Sequence, residues 1–210
     1  MTILSQSNHD RIAAAIRTAE ADTSGEIVCV LAGSSDSYFY PAALTVGAGM
    51  LVASLAAALL VDLWWLSIPL WHFVLAQLAA SAAALALLAV FPRLRMLFVP
   101  RYLRYRRAHR NAVAQFLSRN IHVTRERTGV LIFVSLAERY AEVVADAGIN
   151  ARVPQAAWDE IVARLVAEAA AGRLTEGFEG AIAAAGELLS REFPRRNDDL
   201  AELPDRLVEI

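Results

Sequence analysis

Two aspartates stand where the chain could hold a divalent cation. Asp36 and Asp146 each follow a segment that is typical of a β-strand. Ligands gather at the carboxyl ends of strands in open α/β sheets, and carboxylate oxygens are ligands that Ca²⁺ and Mg²⁺ prefer. The alternative is that Asp36 is an ordinary loop acid and Asp146 a turn residue before Gly148. The pair is therefore a candidate metal site, and no catalytic residue is identified.

The other reactive side chains do not form a recognisable catalytic arrangement. The four histidines are widely separated, and the sequence has no phosphate-binding glycine loop, metalloprotease helix motif or nucleophile elbow. Glu138 and Arg139 are interpreted as a solvated turn. Cys29 is the only cysteine, which excludes an intramolecular disulfide and a zinc site built from cysteines. We expect no cofactor beyond the candidate divalent cation.

A run of seven arginines with no acid occupies residues 93–110. Its members are Arg93, Arg95, Arg101, Arg104, Arg106, Arg107 and Arg110. Because the run directly follows an apolar segment, it predicts contact with anionic lipid headgroups on the cytoplasmic side of a membrane. The alternative is an RNA-binding stripe that uses the intervening Tyr102 and Tyr105. The net charge of −2 excludes a generally basic nucleic-acid binder, and we expect no nucleic-acid partner.

Two long segments contain no charged residue. The chain is 57% hydrophobic with a mean hydropathy of +0.40, and Ala42–Val61 and Leu70–Phe91 each provide the ~20 residues that cross a bilayer as a helix. The short connection between them predicts an antiparallel hairpin, with Trp64, Trp65 and Trp71 at the headgroup level. We therefore expect a multi-pass inner-membrane protein with both termini in the cytoplasm.

The segments on either side of the hairpin predict helices and short strands. Residues 10–23 have helical spacing, and residues 26–32 are an apolar run that suits a strand buried on both faces. Residues 129–136 and 140–146 predict a β-hairpin, and helices are expected at 154–171 and from 175 to the residue before Pro194. A further helix at 101–118 carries the arginines on one face.

Neither flank can close a core alone, so one α/β domain is expected to be interrupted by the hairpin. Its sheet is flanked by helices and contains both the strand at 26–32 and the strand at 129–136. The predicted division is 1–40 and 112–193 for the two parts of the domain, 41–92 for the transmembrane hairpin, 93–111 for a basic juxtamembrane helix and 194–210 for a flexible tail.

Three stretches resemble the TPM domain family. They are TSGEIVCVLA at Thr23–Ala32, RTGVLIFVSLAERYAEVVADAGI at Arg127–Ile149, and a Pro-led helix with Trp158 followed by GRLTEGFEGAIAAAGELL at Gly172–Leu189. The family is named after a thylakoid lumen phosphatase-like protein, a photosystem II repair protein and a nematode modulator of acetylcholine receptors. The chain is most similar to a bacterial membrane branch in which a two-span hairpin splits the domain.

The resemblance implies a helix-flanked sheet and two kinds of activity: acid-phosphatase-like hydrolysis, and assembly or repair of membrane complexes. Family members often carry paired aspartates before the arginine of the turn between the hairpin strands, where this chain has Ala137 and Glu138. The acidic set is thinned, which disfavours metal-assisted hydrolysis. The sequence therefore favours a membrane-anchored interaction or assembly factor with a membrane-protein partner, and a weak metal-dependent phosphatase is the alternative.

Overall fold

The computed structural model describes residues 3–64, 68–124, 126–196 and 203–210. The strands are β1 (Glu26–Ala32), β2 (Gly129–Ser135), β3 (Tyr140–Ala145) and β4 (Leu207–Glu209). The helices are α1 (Gln6–Glu20), α2 (Phe39–Leu63), α3 (Leu70–Val90), α4 (Pro92–Phe98), α5 (Arg101–Ser118), α6 (Ala147–Asn150), α7 (Gln155–Ala170) and α8 (Leu174–Glu192), with a 3₁₀ turn at Ile121–Val123.

The chain divides into two compact units. The α/β unit combines Met1–Ser35 with Tyr105–Ile210, and the hairpin unit is Asp36–Arg104. The α/β class, a sheet flanked by helices, is confirmed.

A four-stranded mixed sheet forms the centre of the α/β unit. Its strand order is β3-β2-β1-β4. β1 pairs in parallel with both β2 and β4, while β3 runs antiparallel to β2. Every residue of β1 and β2 is buried, because these two central strands have helices on both faces. This burial explains their continuous apolar sequences, which lack the alternation of a half-exposed strand.

The two faces of the sheet carry separate cores. Ile27, Cys29 and Leu31 of β1 face a large core that α1, α7 and α8 cover with side chains such as Trp158 and Phe178. Val28, Val30 and Ala32 face the opposite core, where Ala112 and Phe116 of α5 pack. Successive residues of β1 thus serve opposite layers, as the period of two in a strand requires.

The pairing of α1 with α8 depends on a glycine. A Cβ atom added at Gly186 of α8 would lie 2.7 Å from the Cβ of Ala19 on α1. Any larger side chain at residue 186 would therefore push the two helices apart.

The C-terminal segment corrects one prediction. A flexible tail was expected over residues 194–210, yet Leu207–Glu209 forms β4 and extends the sheet at the edge of β1. Leu207 is buried in the large core and Val208 packs against the opposite one. Part of the predicted tail, residues 197–202, lies outside the described residues.

The hairpin unit contains two helices that are long and apolar enough to cross a membrane. α2 has 25 residues and α3 has 21, and each has an 18-residue window with a mean hydropathy of 2.2. Their buried cluster lies at one end of the hairpin, where Tyr38 and Ala42 pack with Leu88 and Val99. Outside this basal cluster, most side chains that are described on the two helices are exposed.

The tryptophans predicted at the headgroup level belong to the connection between these helices. Trp64 and Trp71 have 73% and 59% of their surfaces exposed. The Trp71 ring stacks on His72 with a centroid distance of 3.5 Å. Trp65 lies outside the described residues. Both described indoles are exposed, and their position at the headgroup level stays a prediction.

Candidate functional site

The carboxyl ends of β1 and β2 meet at one end of the sheet. The two strands are parallel, and their last residues, Ala32 and Ser135, are paired in the register. The Oγ atoms of Ser35 and Ser135 are 2.9 Å apart. In open sheets this is the end where ligands gather.

A buried carboxylate, Glu138, occupies this end of the sheet. Its side chain accepts hydrogen bonds from the backbone N–H of Ser35 at 2.9 Å and the Ser34 hydroxyl at 3.4 Å. The Ser135 hydroxyl donates to its other oxygen. The interpretation of Glu138 as a solvated turn residue is wrong, because it is only 2% exposed. Burial of a carboxylate is tolerable here because donors surround it.

The serine-bound Glu138 connects the loop after β1 to the turn between β2 and β3. This is the turn where the TPM resemblance places paired aspartates, and here one acid remains. Both of its oxygens already accept hydrogen bonds from serine groups. The arrangement is suited to holding the loop and the turn together, and a cation would have to displace those donors.

The two aspartates predicted to bind a metal are not brought together. Asp36 follows Ser35, close along the chain to the end of β1, and its carboxylate accepts from the Tyr38 N–H at 3.3 Å. Asp146 follows β3, and its own N–H donates to the Gly129 carbonyl at the first residue of β2. Because β3 is antiparallel to β2, Asp146 lies at the opposite end of the sheet. The length of β2, ~20 Å at ~3.3 Å per residue, separates the two ends.

Asp146 instead begins a helix. Its Oδ1 accepts from the Ala147 N–H at 2.6 Å, as an N-terminal cap of α6 does. Its Oδ2 is buried without a hydrogen-bond partner in the described part of the chain. Within the same described ranges, no group of three or more His, Cys, Asp or Glu residues is placed to hold a metal ion.

Arg95, one of the seven arginines predicted to contact lipid, binds backbone carbonyls of its own unit. Arg95 donates through Nε to the Leu88 carbonyl at 2.7 Å and through its two terminal nitrogens to the carbonyls of Ala89 and Ser37 at 2.9 and 3.0 Å. Its guanidinium also lies over the Phe39 ring, 5.4 Å from the centroid. Arg95 thus binds carbonyls at the C-terminus of α3 and ties them to the segment before α2.

The other six arginines of residues 93–110 differ in their exposure. Arg93, Arg101, Arg106 and Arg110 are exposed, while Arg104 and Arg107 are half-buried. The Nε of Arg104 is buried without a hydrogen-bond partner among the described residues. The exposed members form the part of the segment that is accessible to an external anion.

A hydrogen-bonded histidine in the α/β unit was not predicted from the sequence. The Nδ1 of His109 on α5 lies 2.9 Å from a carboxylate oxygen of Glu142 on β3, and the Tyr140 hydroxyl donates to the same carboxylate at 2.9 Å. Burial, followed by the hydrogen bond and charge of Glu142, raises the pKa of Tyr140. This group joins α5 to the edge of the sheet. The contact depends on two residues far apart in sequence, so no local pattern indicates it.

A groove runs beside the turn that carries Glu138. It has a volume of about 410 Å³ and lies between the end of β2, the start of β3 and the C-terminal half of α7. Its walls are mostly apolar, with Leu136, Leu165 and Val166 among them, and Arg139 stands at its rim. The volume falls in the range of small-ligand sites.

Comparisons with known proteins identify the fold and match one family over part of the chain. The sequence model of the TPM domain matches residues 92–188. The NMR structure of BA42 protein from the psychrophilic bacterium Bizionia argentinensis aligns with a TM-score of 0.62 at 20% identity, covering 100% of this chain and 97% of that chain. At that identity the likeness shows the fold alone. A comparison with curated proteins finds no significant match.

The family match begins after α3, so it does not include β1. The position of β1 between β2 and β4 comes from the structure, and the likeness to BA42 extends over the whole chain. Residues 92–188 therefore match a TPM domain, and the whole chain shares the fold of BA42.

Proposed function

We propose that this chain is a bilayer-anchored TPM domain that acts as an interaction factor in the assembly or repair of a membrane complex at the cytoplasmic face of the inner membrane. The observation that carries the proposal is the hairpin unit, whose two apolar helices expose their side chains and are followed by seven arginines without an acid.

The exposure of α2 and α3 supports a bilayer as their surroundings. A core helix of a soluble protein is mostly buried, whereas the apolar windows of α2 and α3 are 0% and 6% buried. Leu51, Leu55 and Leu59 of α2 alone are 70%, 64% and 63% exposed. Soluble monomers rarely expose contiguous apolar patches larger than a few hundred Å². Hydrocarbon is the solvent that accepts such a surface without a free-energy penalty.

The arginines support an orientation with both termini in the cytoplasm. Excess arginine beside a span marks the cytoplasmic side, and each arginine near an anionic surface contributes ~1 kcal/mol. Arg95 contributes less to lipid binding, because its guanidinium already donates to three backbone carbonyls. The lipid contact is therefore assigned to the exposed Arg93, Arg101, Arg106 and Arg110.

An interaction role fits the carboxyl end of the sheet better than hydrolysis. Metal-dependent hydrolysis needs several oxygen ligands that converge on one ion. Here Glu138 accepts hydrogen bonds from three serines, and Asp146 caps a helix beside the other end of β2. These side chains are committed to contacts within the fold.

The test is where the full chain is located in bacterial cells and which proteins copurify with it. We expect it to remain in the membrane pellet after alkaline extraction, and reporter fusions at Leu66 and after Ile210 to give periplasmic and cytoplasmic signals. Cross-linked purification from that membrane should recover a membrane complex in a fixed ratio to the chain. Release by alkali, a periplasmic C-terminus or recovery of the chain alone would each contradict the proposal.

A further inference from the structure

β3 leaves one edge of the sheet open. It is the last strand in the order β3-β2-β1-β4. Within the described ranges, the backbone of Tyr140–Val144 forms hydrogen bonds with β2 and with no other element. Only the carbonyl of Ala145 has a further partner, the Asn150 side chain at 2.8 Å. The other edge is different, because β4 already pairs with β1.

The groove includes the first two residues of this edge strand, Tyr140 and Ala141. Ala141 of β3 lines it together with Leu136 and Val166, which are 38% and 41% exposed. A volume of about 410 Å³ accommodates more than one large apolar side chain. A strand added to β3 would project alternate side chains toward this face of the sheet, where the groove can receive them.

A cation stands where the groove meets the edge. Arg139 precedes β3, is exposed and lines the groove. In the described part of the chain, its guanidinium forms no hydrogen bond or ion pair. The neighbouring acid, Glu138, binds serines instead. An incoming carboxylate would find a planar guanidinium that can bind it through two hydrogen bonds.

We propose that the edge of β3 and the adjoining groove bind an extended segment of a partner protein. The segment adds a strand to β3, places an apolar side chain in the groove and pairs an acidic side chain or a terminal carboxylate with Arg139. This inference rests on the proposed role as an interaction factor and names the surface that performs it.

The open edge, the groove and Arg139 favour a peptide over other occupants. A lipid chain could fill the groove, but it has no N–H groups to pair with the edge of β3. A second copy of this chain could pair its own β3, yet Ala141, Val143 and Ala145 of that strand already pack against its own core. It would therefore bring no free apolar side chain to the groove.

The experiment selects random heptapeptides displayed on phage against the full chain in zwitterionic nanodiscs. We expect enriched peptides to have extended, alternating patterns with an acidic residue or a free carboxylate next to an apolar residue. Synthetic versions should lose about tenfold or more in affinity for Arg139→Gln, the loss of one charge-assisted contact, and more for Val166→Glu, which puts a charge in the groove. N-methylation of the peptide backbone should also weaken binding.

Arg164→Gln is the matched control, because Arg164 lies on α7 with an exposed side chain 3.8 Å from Glu160 and is not part of the groove. Arg164→Gln should leave peptide affinity unchanged. An unchanged melting temperature of Arg139→Gln would show that the effect of that variant is local.

No enrichment, enrichment of acid-free peptides, equal affinity for the variants, or cross-links between β3 strands of two copies would overturn the inference. Release of the chain from membranes would instead overturn the proposed function, since that result does not depend on Val166 or Arg139.

Discussion

The α/β unit and the hairpin unit are both rich in apolar residues and use them in opposite ways. β1 and β2 are buried at every position by the unit's own helices. In the hairpin unit, the apolar windows of α2 and α3 are 0% and 6% buried. The first set of residues supplies its own apolar environment, whereas the second is left exposed, which is why we propose a bilayer around it. Hydropathy alone does not separate the two cases; length and the absence of charge do.

The α/β unit is built from segments on both sides of the hairpin. Its central strand, β1, precedes the hairpin in the chain, whereas its partner β2 follows it. The core is therefore assembled from segments that are about 100 residues apart, and removal of either segment removes one wall of both cores.

The largest expected effect is the loss of folding when β1 is absent. A fragment of residues 111–210 lacks α1 and β1, so β2 and β4 lose the strand between them. We expect no cooperative thermal transition by circular dichroism and binding of a hydrophobic dye. Addition of a peptide of residues 1–40 should restore a transition. A fragment that melts cooperatively alone would show that the two flanks are independent.

The next effect concerns the buried acid at the carboxyl end of the sheet. Glu138→Ala removes the charged acceptor of the half-buried Ser35 N–H and of the buried Ser135 hydroxyl. We expect a loss of about 2–4 kcal/mol in the free energy of unfolding, measured by urea denaturation of the full chain in detergent micelles.

Glu187→Ala is the control for that variant. Glu187 is 75% exposed in a helical pair with Arg191 at 3.8 Å, and its removal should change stability by less than about 0.5 kcal/mol. Equal losses for the two variants would mean that Glu138 is a surface residue after all.

A smaller effect separates two neighbouring arginines of the hairpin unit. Arg95→Gln breaks contacts with three backbone carbonyls and should destabilise the base of the hairpin by about 1–3 kcal/mol. Arg93→Gln changes an exposed residue two positions earlier and should leave stability unchanged. Unfolding of the full chain in micelles measures both. Identical behaviour would return Arg95 to the set of arginines for which we propose a lipid contact.

Local pattern predicted most of the fold. The period of 3.6 in α1, α5, α7 and α8 and the apolar runs of β1, β2 and β3 are properties of single segments, and the helix predicted at 101–118 coincides with α5. β4 has only three residues within a charged stretch, which is too short to display a period. Its pairing with β1 joins Leu207 to Cys29, and no local signal reports a contact of that range.

The candidate site was less predictable because its contacts are also long-range. Two of the donors that bind the buried Glu138 carboxylate belong to Ser34 and Ser35, which are 104 and 103 residues away in sequence. The prediction of a shared metal site for Asp36 and Asp146, in contrast, did not take into account the antiparallel direction of β3 in the predicted β-hairpin. An antiparallel strand ends at the opposite end of the sheet from its partner, so an acid after β3 cannot meet one that follows β1.

A pH dependence is expected at the other end of β1. Burial, with the nearby charges of Glu26 and Asp205, raises the pKa of Glu20 from 4.5 to about 8. The folded state therefore binds a proton that the unfolded chain releases, and stability falls as the pH rises from about 5 to about 8, by at most about 1.4 kcal/mol per pH unit.

Melting temperatures of the full chain across this range measure the effect. Glu20→Gln keeps an oxygen for the Ile27 N–H, which Glu20 binds at 2.7 Å, and should flatten the profile. Burial raises the pKa of Glu209, but hydrogen bonds from the Ile3 and Leu4 N–H groups lower it overall. Glu209 therefore affects stability only in more acidic solution. A profile that rises between pH 5 and 8 in the wild type would contradict the assignment.

The smallest expected effect is that of divalent cations. Ca²⁺ takes ~6–8 oxygen ligands and Mg²⁺ about 6. Asp146 lies beside Gly129 with one oxygen capping α6, and Asp36 follows Ser35 near the other end of the sheet. Even a cation at a concentration equal to its dissociation constant would add only about 0.4 kcal/mol of stability.

Millimolar Ca²⁺ or Mg²⁺ should therefore leave the melting temperature nearly unchanged. The wild type should hydrolyse a generic phosphomonoester no faster than the Asp36→Asn and Asp146→Asn variants. Metal-dependent hydrolysis that both variants abolish would require the two ends of the sheet to cooperate, and would make the phosphatase the better description of this chain.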